Sequence, residues 1–225
     1  FFSLDINRTF GSNQTDSLAV ETSKTLLQDL KSSSDIVVDF HSSNLQLMEI
    51  PQIRIIKDFE KKLLPLAEKC NVDLIWVHPN AEIFSSTLGY NLNRSKIPTL
   101  VIETGICLRI HPDSGDQIFK GMVNLLNETG VIDITPEPVK EAKQVQPDQV
   151  VMVQALHSGL FIKQVEAGVI LEKGEMLGKL IDPVDGSILK EIVSPCSGLL
   201  FTIREHPLVH KGSPLARIAE VLREK

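Results

Sequence analysis

The apolar residues in the first part of the chain follow two patterns, which alternate along the sequence. Helical spacing, with apolar residues on one face, predicts amphipathic helices over these segments: 16–30, 58–69, 83–93 and 114–129. Short continuous apolar runs predict buried strands over the segments between them: 35–40, 74–77 and 97–102. Strands that alternate with helices usually form parallel sheets. Residues 1–132 are therefore predicted to be an α/β domain with a mostly parallel sheet flanked by helices.

The pattern changes beyond this domain. Residues 133–149 contain Pro136, Pro138 and Pro147 among mixed charges and without periodicity, and this composition predicts a linker. Residues 150–225 consist of short Val, Ile and Leu runs separated by glycines, which is typical of short strands and tight turns. We therefore predict a second, small all-β barrel or sandwich domain at the C-terminus.

The β segment contains a weak internal repeat. Ser158-Gly-Leu-Phe161 is echoed by Ser197-Gly-Leu-Leu-Phe201, and Gly174 by Gly212 at nearly matched spacing, which predicts two similar halves. The glycine pattern resembles biotinyl/lipoyl-type carrier domains, but no lysine occupies the turn tip in the arrangement that carries biotin or lipoate. The segment is therefore interpreted as structural or interface-forming, and its apolar runs could join subunits into a homo-oligomer.

Composition limits the classes of function. The 225 residues are 42% hydrophobic, enough for one or two domains, and a net charge of -6 without a basic block argues against a nucleic-acid partner. No apolar run reaches the roughly 18 to 20 residues that span a bilayer, so a cytoplasmic protein without membrane contact is expected. Cys70, Cys107 and Cys196 lack C-x-x-C spacing and are predicted to be reduced and mostly buried.

Polar residues at the ends of two predicted strands form the first candidate site. Asp39 and His41 stand at the end of one strand, and Glu103 follows another. Open α/β sheets place ligand sites at the carboxyl ends of their strands. An imidazole there can bind zinc while a nearby carboxylate orients it, and Glu103 could act as general base on a metal-bound water. The alternative is a hydrogen-bonded structural histidine and a solvated loop glutamate.

Asn7 and Arg8 form the second candidate site. An adjacent amide and guanidinium could bind a substrate carboxylate, because the planar guanidinium fork suits bidentate recognition. The alternative is a surface ion pair beside a turn-forming asparagine. His78 could line the same sheet edge, and His111 is predicted to lie in a loop. The histidines of the β segment have no partner at ligand spacing, and all five remaining histidines are assigned to structure or solvent: His78, His111, His157, His206 and His210.

Together these motifs resemble the succinylglutamate desuccinylase and aspartoacylase family, whose members are related to zinc carboxypeptidases. Asp5-Ile-Asn-Arg-Thr-Phe-Gly11 resembles the family motif Asp-Leu-Asn-Arg-x-Phe-Pro-Gly, without its proline. Asp39-Phe-His-Ser42 resembles Asp-Leu-His-Thr, and residues 97–105 resemble Ile-Pro-x-x-x-x-Glu-x-Gly. The order and spacing agree over nearly the whole chain, and the glycine-rich C-terminal segment is similar to the family's second domain.

The resemblance implies a zinc-carboxypeptidase-like fold and a role for each candidate residue. His41 would be a zinc ligand, supported by Asp39. Glu103 would be the general base and acid, while Asn7 and Arg8 would clamp the carboxylate of the substrate. Zn²⁺ would polarise the scissile carbonyl and supply hydroxide. The implied reaction is hydrolysis of the amide bond of a small N-acyl amino acid.

One feature of the family is absent from the sequence. Family members carry a His-x-x-Glu pair upstream of the Asn-Arg motif, whereas this sequence starts with Phe1, a few residues before that motif. A catalytic zinc site needs three protein ligands, and His41 is the one that the sequence supplies. We therefore expect the sequence to be part of a longer chain.

Three hypotheses about function remain open at this point. The leading one is a zinc-dependent hydrolase of N-acyl amino acids or a related small amide. The second is a non-catalytic binding or assembly protein that keeps the scaffold without the ligand pair, which metal analysis would separate from the first. The third is a zinc carboxypeptidase that acts on peptides and shares the Asn-Arg clamp and the glutamate base; substrate profiling would identify it.

Overall fold

A computed structural model describes residues 5–12, 17–79 and 82–220 of the protein. Its helices are α1 (Leu18–Ser33), α2 (Glu60–Ala67), α3 (Leu88–Arg94) and α4 (Pro112–Glu128). Short 3-10 turns occupy Ile6–Arg8, Lys57–Phe59, Glu82–Phe84 and Pro147–Gln149. Within the described ranges, no helix combines the length and the apolar character needed to cross a membrane. The predicted helix start at Asp16 and the outer ends of the predicted domains, 1–4 and 221–225, lie outside these ranges.

The strands fall into an N-terminal and a C-terminal set. The first set is β1 (Val37–His41), β2 (Leu47–Ile56), β3 (Leu74–His78), β4 (Thr99–Gly105) and β5 (Lys143–Val145). The second set is β6 (Val150–Gln154), β7 (Gly159–Lys163), β8 (Ile170–Leu171), β9 (Met176–Ile181), β10 (Ile188–Val193), β11 (Gly198–Arg204), β12 (Leu208–Val209) and β13 (Pro214–Glu220). Each helix and strand that the hydrophobic pattern predicts is present, with its ends displaced by a few residues.

One mixed sheet runs through both parts of the molecule. In the N-terminal set β1 and β4, β2 and β3, and β3 and β5 pair in parallel, as predicted, but β2 and β4 are antiparallel. The sheet continues into the C-terminal set through antiparallel pairing of β2 with β11, followed by β13 and β6. The sheet as a whole is therefore mixed, and the division of the chain into two domains stays a prediction.

Strand β2 is absent from the sequence-based expectation, although it is the central strand of the sheet. One of its edges pairs with β4, and the other pairs first with β11 and then with β3. Pro51 interrupts its apolar pattern, and a proline normally demotes a strand to an edge. The register with β4 shifts between Glu49 and Gln52, so Pro51 lies at an irregularity where its missing N–H is tolerated.

The face of the N-terminal strands that carries Ile53, Ile55, Leu100 and Ile102 is fully buried against helices α2 and α4. Helix α4 packs very closely against the segment that follows α2, since a Cβ atom added at Gly121 would lie 1.9 Å from the carbonyl oxygen of Cys70. Such an approach is open to glycine alone. This apolar layer holds the strands rigidly, so that their other face is presented at a fixed geometry.

The C-terminal strands form two packed layers. A four-stranded sheet of order β10-β9-β7-β12 lies against β11 and β13 of the mixed sheet. Its buried residues, including Phe161, Leu177 and Val209, share one core with Leu200 and Ile218 of the other layer. The strand-rich C-terminal segment thus has the sandwich architecture that its glycine and hydrophobic pattern indicates.

The internal repeat corresponds to a pair of equivalent hydrogen bonds between the two halves of this sandwich. The hydroxyl oxygen of Ser197 accepts a hydrogen bond from the backbone N–H of Lys173 at 3.0 Å, and the hydroxyl oxygen of Ser158 accepts one from Lys211 at 3.2 Å. Each half therefore holds the turn of the other. The structure describes Asp185 at the turn between β9 and β10, where the carrier domains that the segment resembles would need a lysine.

Candidate active site

Backbone register brings the two strand-end motifs together. Strands β1 and β4 pair in parallel with His41 directly opposite Glu103 and Asp39 opposite Val101. Because alternate residues of a strand point to opposite faces, Asp39, His41 and Glu103 share the face opposite to the apolar core. The sequence-based expectation that the two motifs lie on neighbouring strands is confirmed.

The carboxylate of Asp39 lies next to the imidazole of His41. The distance from Oδ2 to Nε2 is 3.0 Å, but the ring nitrogen is buried and has no partner at hydrogen-bonding angles among the described residues. The contact is therefore an ion pair with poor alignment. The neighbouring Asp39 carboxylate raises the pKa of His41 above its ordinary value, against the opposing effect of burial. Asp39 thus occupies the position of a group that orients this imidazole.

Glu103 is held at both carboxylate oxygens. Its Oε2 accepts a hydrogen bond from the backbone N–H of Ser43 at 3.1 Å, and its Oε1 lies 3.1 Å from Nη1 of Arg54. The side chain is 12% exposed. Burial raises the pKa of Glu103 above the ordinary glutamate value, while Arg54 opposes the rise. A half-desolvated carboxylate with a fixed orientation is suited to accept and return a proton.

Asn7 and Arg8 reach the same region from the 3-10 turn Ile6–Arg8. The side-chain oxygen of Asn7 accepts a hydrogen bond from the backbone N–H of Leu88 at 2.9 Å, which ties the turn to the start of α3. The Arg8 side chain is 53% exposed; its Nη1 donates a hydrogen bond to the backbone carbonyl of Asn7 at 2.7 Å and lies 4.0 Å from the carboxylate of Asp5. Both residues border one cleft with a volume of about 540 Å³, together with Asp39, His41, Arg54 and Glu103.

A buried group of charges that the sequence did not indicate lies beside Glu103. The Glu49 carboxylate, 1% exposed, accepts hydrogen bonds from Nη2 of Arg54 at 2.9 and 2.7 Å and from Nη1 of Arg217 at 2.7 Å. Gln52 also donates to it at 2.9 Å. Arg54 is thus shared by two carboxylates. Nothing local in the sequence marks these residues, because 168 positions separate Glu49 from Arg217.

The single tryptophan forms the wall of this charged group. The guanidinium carbons of Arg54 and Arg217 each lie 5.7 Å from the centre of a Trp76 ring, within the range of a cation–π contact. His78 stacks on the same side chain at a centroid distance of 3.8 Å. Burial, followed by the two arginine charges, lowers the pKa of His78 to about 3. His78 borders the cleft as a neutral imidazole, beyond the purely structural role that its sequence context suggested.

The described residues do not by themselves make a catalytic zinc site. Asp39 lies against Nε2 of His41, and an imidazole oriented in this way can bind a metal through its other ring nitrogen. However, nowhere in 5–12, 17–79 and 82–220 do three or more histidine, cysteine or carboxylate side chains gather closely enough to hold an ion. His41 therefore accounts for one ligand of the three that such a site requires.

Several solved structures share the fold of this chain. The chain is similar to the solved structures of the ectoine utilization protein EutE (DoeB) from Ruegeria pomeroyi with bound product, at 18% identity and a TM-score of 0.82, covering 96% of this chain and 67% of that one. It is also similar to a succinylglutamate desuccinylase/aspartoacylase from Rhodobacter sphaeroides, at 23% identity and a TM-score of 0.80, covering 98% and 69%. An aspartoacylase family protein from Mesorhizobium loti has 18% identity, a TM-score of 0.76, and coverage of 99% and 68%.

All three structures are less than 25% identical to this chain, so the likenesses establish the fold alone. No protein of curated function matches the sequence. The family model described as the succinylglutamate desuccinylase/aspartoacylase catalytic domain matches residues 1–129, which include every candidate site residue. The chain therefore belongs to the succinylglutamate desuccinylase/aspartoacylase family.

Proposed function

We propose that this protein hydrolyses the amide bond of N-acyl amino acids or a related small amide, with Glu103 as the general base and acid. Family membership supports a deacylase. The observation that carries the proposal is the position of the Glu103 carboxylate, which is fixed at both oxygens and borders the same cleft as His41, Asn7 and Arg8. A small acyl amino acid suits a cleft of about 540 Å³.

In this proposal Glu103 moves one proton twice. Its carboxylate accepts a proton from the water that attacks the acyl carbonyl carbon, so that the carbon becomes tetrahedral. The C–N bond then breaks as Glu103 returns the proton to the amine nitrogen, which leaves a free amine and a carboxylic acid that loses its remaining proton to solvent. The backbone N–H of Ser43 and the guanidinium of Arg54 keep the carboxylate in one orientation throughout.

Asn7 and Arg8 are proposed to bind the carboxylate of the substrate. The oxygen of the Asn7 amide is already used by the backbone N–H of Leu88, which leaves its NH₂ group oriented as a donor. The exposed Arg8 guanidinium adds a planar, charged donor pair. Such a clamp would select substrates with a free carboxylate next to the scissile amide.

Zinc dependence is part of the proposal, with His41 as one ligand. The other ligands would have to come from outside the described residues, because these supply no further group of donors around His41. The test is the metal content of the natural full-length protein. We expect bound zinc in the wild type and a lower zinc content in His41→Asn; equal zinc in both proteins would exclude His41 as a ligand.

The activity test compares Glu103→Gln with wild type on a panel of N-acyl amino acids. Loss of the general base is expected to lower kcat by about 100- to 10,000-fold while substrate binding is retained. Glu128→Gln, which alters a surface ion pair with Lys69 outside the cleft, is the matched control. Unchanged activity of Glu103→Gln would exclude its assignment as the base.

A second candidate function is a non-catalytic binding or assembly protein on the same scaffold. The observation in its favour is that, in the part of the chain that the structure describes, no three metal-ligating side chains come together. A natural full-length protein that contains no zinc and hydrolyses no acyl amino acid, but still binds one through Arg8, would favour this reading over the first.

A further inference from the structure

We propose that Arg54 is a positioning residue for the carboxylate of Glu103, and that Arg217 of the C-terminal segment fixes Arg54 through the buried carboxylate of Glu49. This inference rests on the proposed function of Glu103 as the general base. It gives the C-terminal β strands a direct part in the geometry of the catalytic centre, because they supply one end of a chain of ion pairs that starts at the base.

The first link joins Glu103 to Arg54. Nη1 of Arg54 lies 3.1 Å from Oε1 of Glu103, whereas Nη2 of the same guanidinium binds Glu49. A guanidinium is planar and rigid, so the position of its second nitrogen is determined once the first is fixed. Any rotation of Arg54 about its contact with Glu49 would therefore displace the carboxylate of the proposed base.

The second link is Glu49, whose side chain is the most buried of the four charged residues in this chain of ion pairs. At 1% exposure its carboxylate depends on donors from the protein, and it receives them from Arg54, Gln52 and Arg217. The hydroxyl oxygen of Thr202 lies 3.5 Å from Oε1 of Glu49, the oxygen that also accepts the hydrogen bond from Arg217. A buried carboxylate that lost one of these donors would pay a large desolvation cost, so its neighbours are held together as a unit.

The third link carries the chain into the C-terminal strands. Arg217 lies on β13 and Thr202 on β11, and the two residues are paired partners across that ladder. Thr202 in turn stands opposite Glu49 in the pairing of β11 with β2. Three neighbouring strands therefore place Arg217, Thr202 and Glu49 in one row, which leads to Arg54 and the cleft.

The signs of the charges alternate along this row. Two carboxylates, Glu103 and Glu49, are interleaved with two guanidinium groups, Arg54 and Arg217, so each charge has a partner of opposite sign at close range. Trp76 packs beside both arginines and excludes solvent from their flank. In such a desolvated setting the interactions are strong and directional, and the orientation of one end is transmitted to the other.

The activity test uses the natural full-length protein and its variants Arg54→Met and Arg217→Met. We expect Arg54→Met to lower kcat about 100-fold and Arg217→Met about 10-fold, the range for residues that support a catalytic group. KM should stay within about threefold, since neither residue is assigned to the substrate clamp. Arg54→Lys should recover little of the loss, because one ammonium group cannot bridge two carboxylates as the planar fork does.

Arg204→Met is the matched control for Arg217→Met. Arg204 is a second arginine of the C-terminal strands and is buried, but its guanidinium donates to the carbonyl oxygens of His206 and Leu208 rather than to Glu49. The control is expected to lower stability and to leave kcat unchanged. If Arg217→Met had the same kcat as Arg204→Met, the proposal would be overturned. Arg217→Lys serves as the test variant if Arg217→Met does not fold.

Trp76 provides a readout that does not depend on activity. As the single tryptophan, it reports the loss of either neighbouring guanidinium by a change in fluorescence emission, which Arg204→Met should not cause. The free energies of unfolding of Glu103→Gln, Arg217→Met and the double variant then give their coupling. A wild type without deacylase activity would refute the proposed function alone. Additive effects of the two substitutions would overturn the chain of ion pairs, whatever the activity.

Discussion

The two faces of strands β2 and β4 carry opposite kinds of side chain. On one face of β2 and β4, Ile53, Ile55, Leu100 and Ile102 are fully buried among other apolar side chains. On the other face the intervening residues include Arg54 and charged partners that lie next to a cleft. A strand alternates its side chains with a period of two, so one backbone serves both environments.

The two faces should differ in the substitutions that they tolerate without loss of stability. The apolar face is held by many non-directional contacts, so a conservative change in volume removes only a few of them. The polar face is held by paired charges, so removal of one partner leaves another buried charge uncompensated. Substitutions on the polar face should therefore cost more stability than substitutions of similar size on the apolar face.

Replacing the central carboxylate of the polar face should be the most damaging change. Glu49→Gln keeps the shape of the side chain but leaves Arg54 and Arg217 buried with less compensating charge. We expect a loss of about 3–5 kcal/mol in the free energy of unfolding, measured by urea denaturation. Glu137→Gln, which alters an exposed ion pair with Lys120, should change it by less than about 0.5 kcal/mol. If both substitutions lowered the free energy of unfolding equally, burial of the ion pair would not increase its contribution to stability.

The neutral His78 should make the protein sensitive to acid. Its pKa of about 3 in the folded state lies far below the ordinary value of 6.5, so the unfolded chain binds the extra proton first as the pH falls. Stability should therefore drop by about 1.4 kcal/mol per pH unit between about pH 6 and pH 4. The raised pKa of His41 adds a contribution that is fully present below its unfolded pKa, so it does not produce this slope.

The measurement is a series of urea denaturations of wild type and His78→Gln across this pH range. The variant lacks the titrating group and should show a shallower slope. Identical slopes in both proteins would exclude His78 as the source of the acid sensitivity.

The apolar face should be sensitive to close approach rather than to charge. Gly121→Ala would place a Cβ atom 1.9 Å from the Cys70 carbonyl oxygen and push α4 away from the segment that follows α2. The expected cost is about 1–3 kcal/mol, measured by thermal unfolding. Gly115→Ala in the same helix meets no neighbouring atom and should instead stabilise it by about 0.5–1 kcal/mol. A destabilised Gly115→Ala would show that helix propensity does not control the effect.

The smallest change is expected for a conservative truncation on the apolar face. Ile53→Val removes one methylene group from a fully buried side chain and should cost about 0.5–1.5 kcal/mol. Since Ile53 neighbours Arg54 on the same strand, the variant also tests whether the faces are independent. The kcat on an acyl amino acid should remain at the wild-type value, and a large drop would mean that the faces are coupled.

Strands and motifs with a local signal could be predicted from the amino-acid sequence. The continuous apolar runs around Val37–His41 and Thr99–Gly105 predicted β1 and β4, because burial on both sides favours unbroken hydrophobic stretches. The position of Asp39, His41 and Glu103 at the ends of those runs then predicted their common site. Their pairing is a direct consequence of two neighbouring parallel strands with matched ends.

The central strand β2 and the row of charges beside Glu103 depend on contacts between residues that are distant in the sequence. Glu49, Gln52 and Arg54 make β2 look like a solvated segment, and Pro51 adds to that impression. The carboxylate of Glu49 can be buried because Arg217, far away in the sequence, supplies an opposite charge in addition to that of Arg54. Charged residues in a short segment indicate exposure to solvent, because burying a charge is costly. The ion-pair partner that offsets this cost comes from another part of the sequence and is known only from the fold.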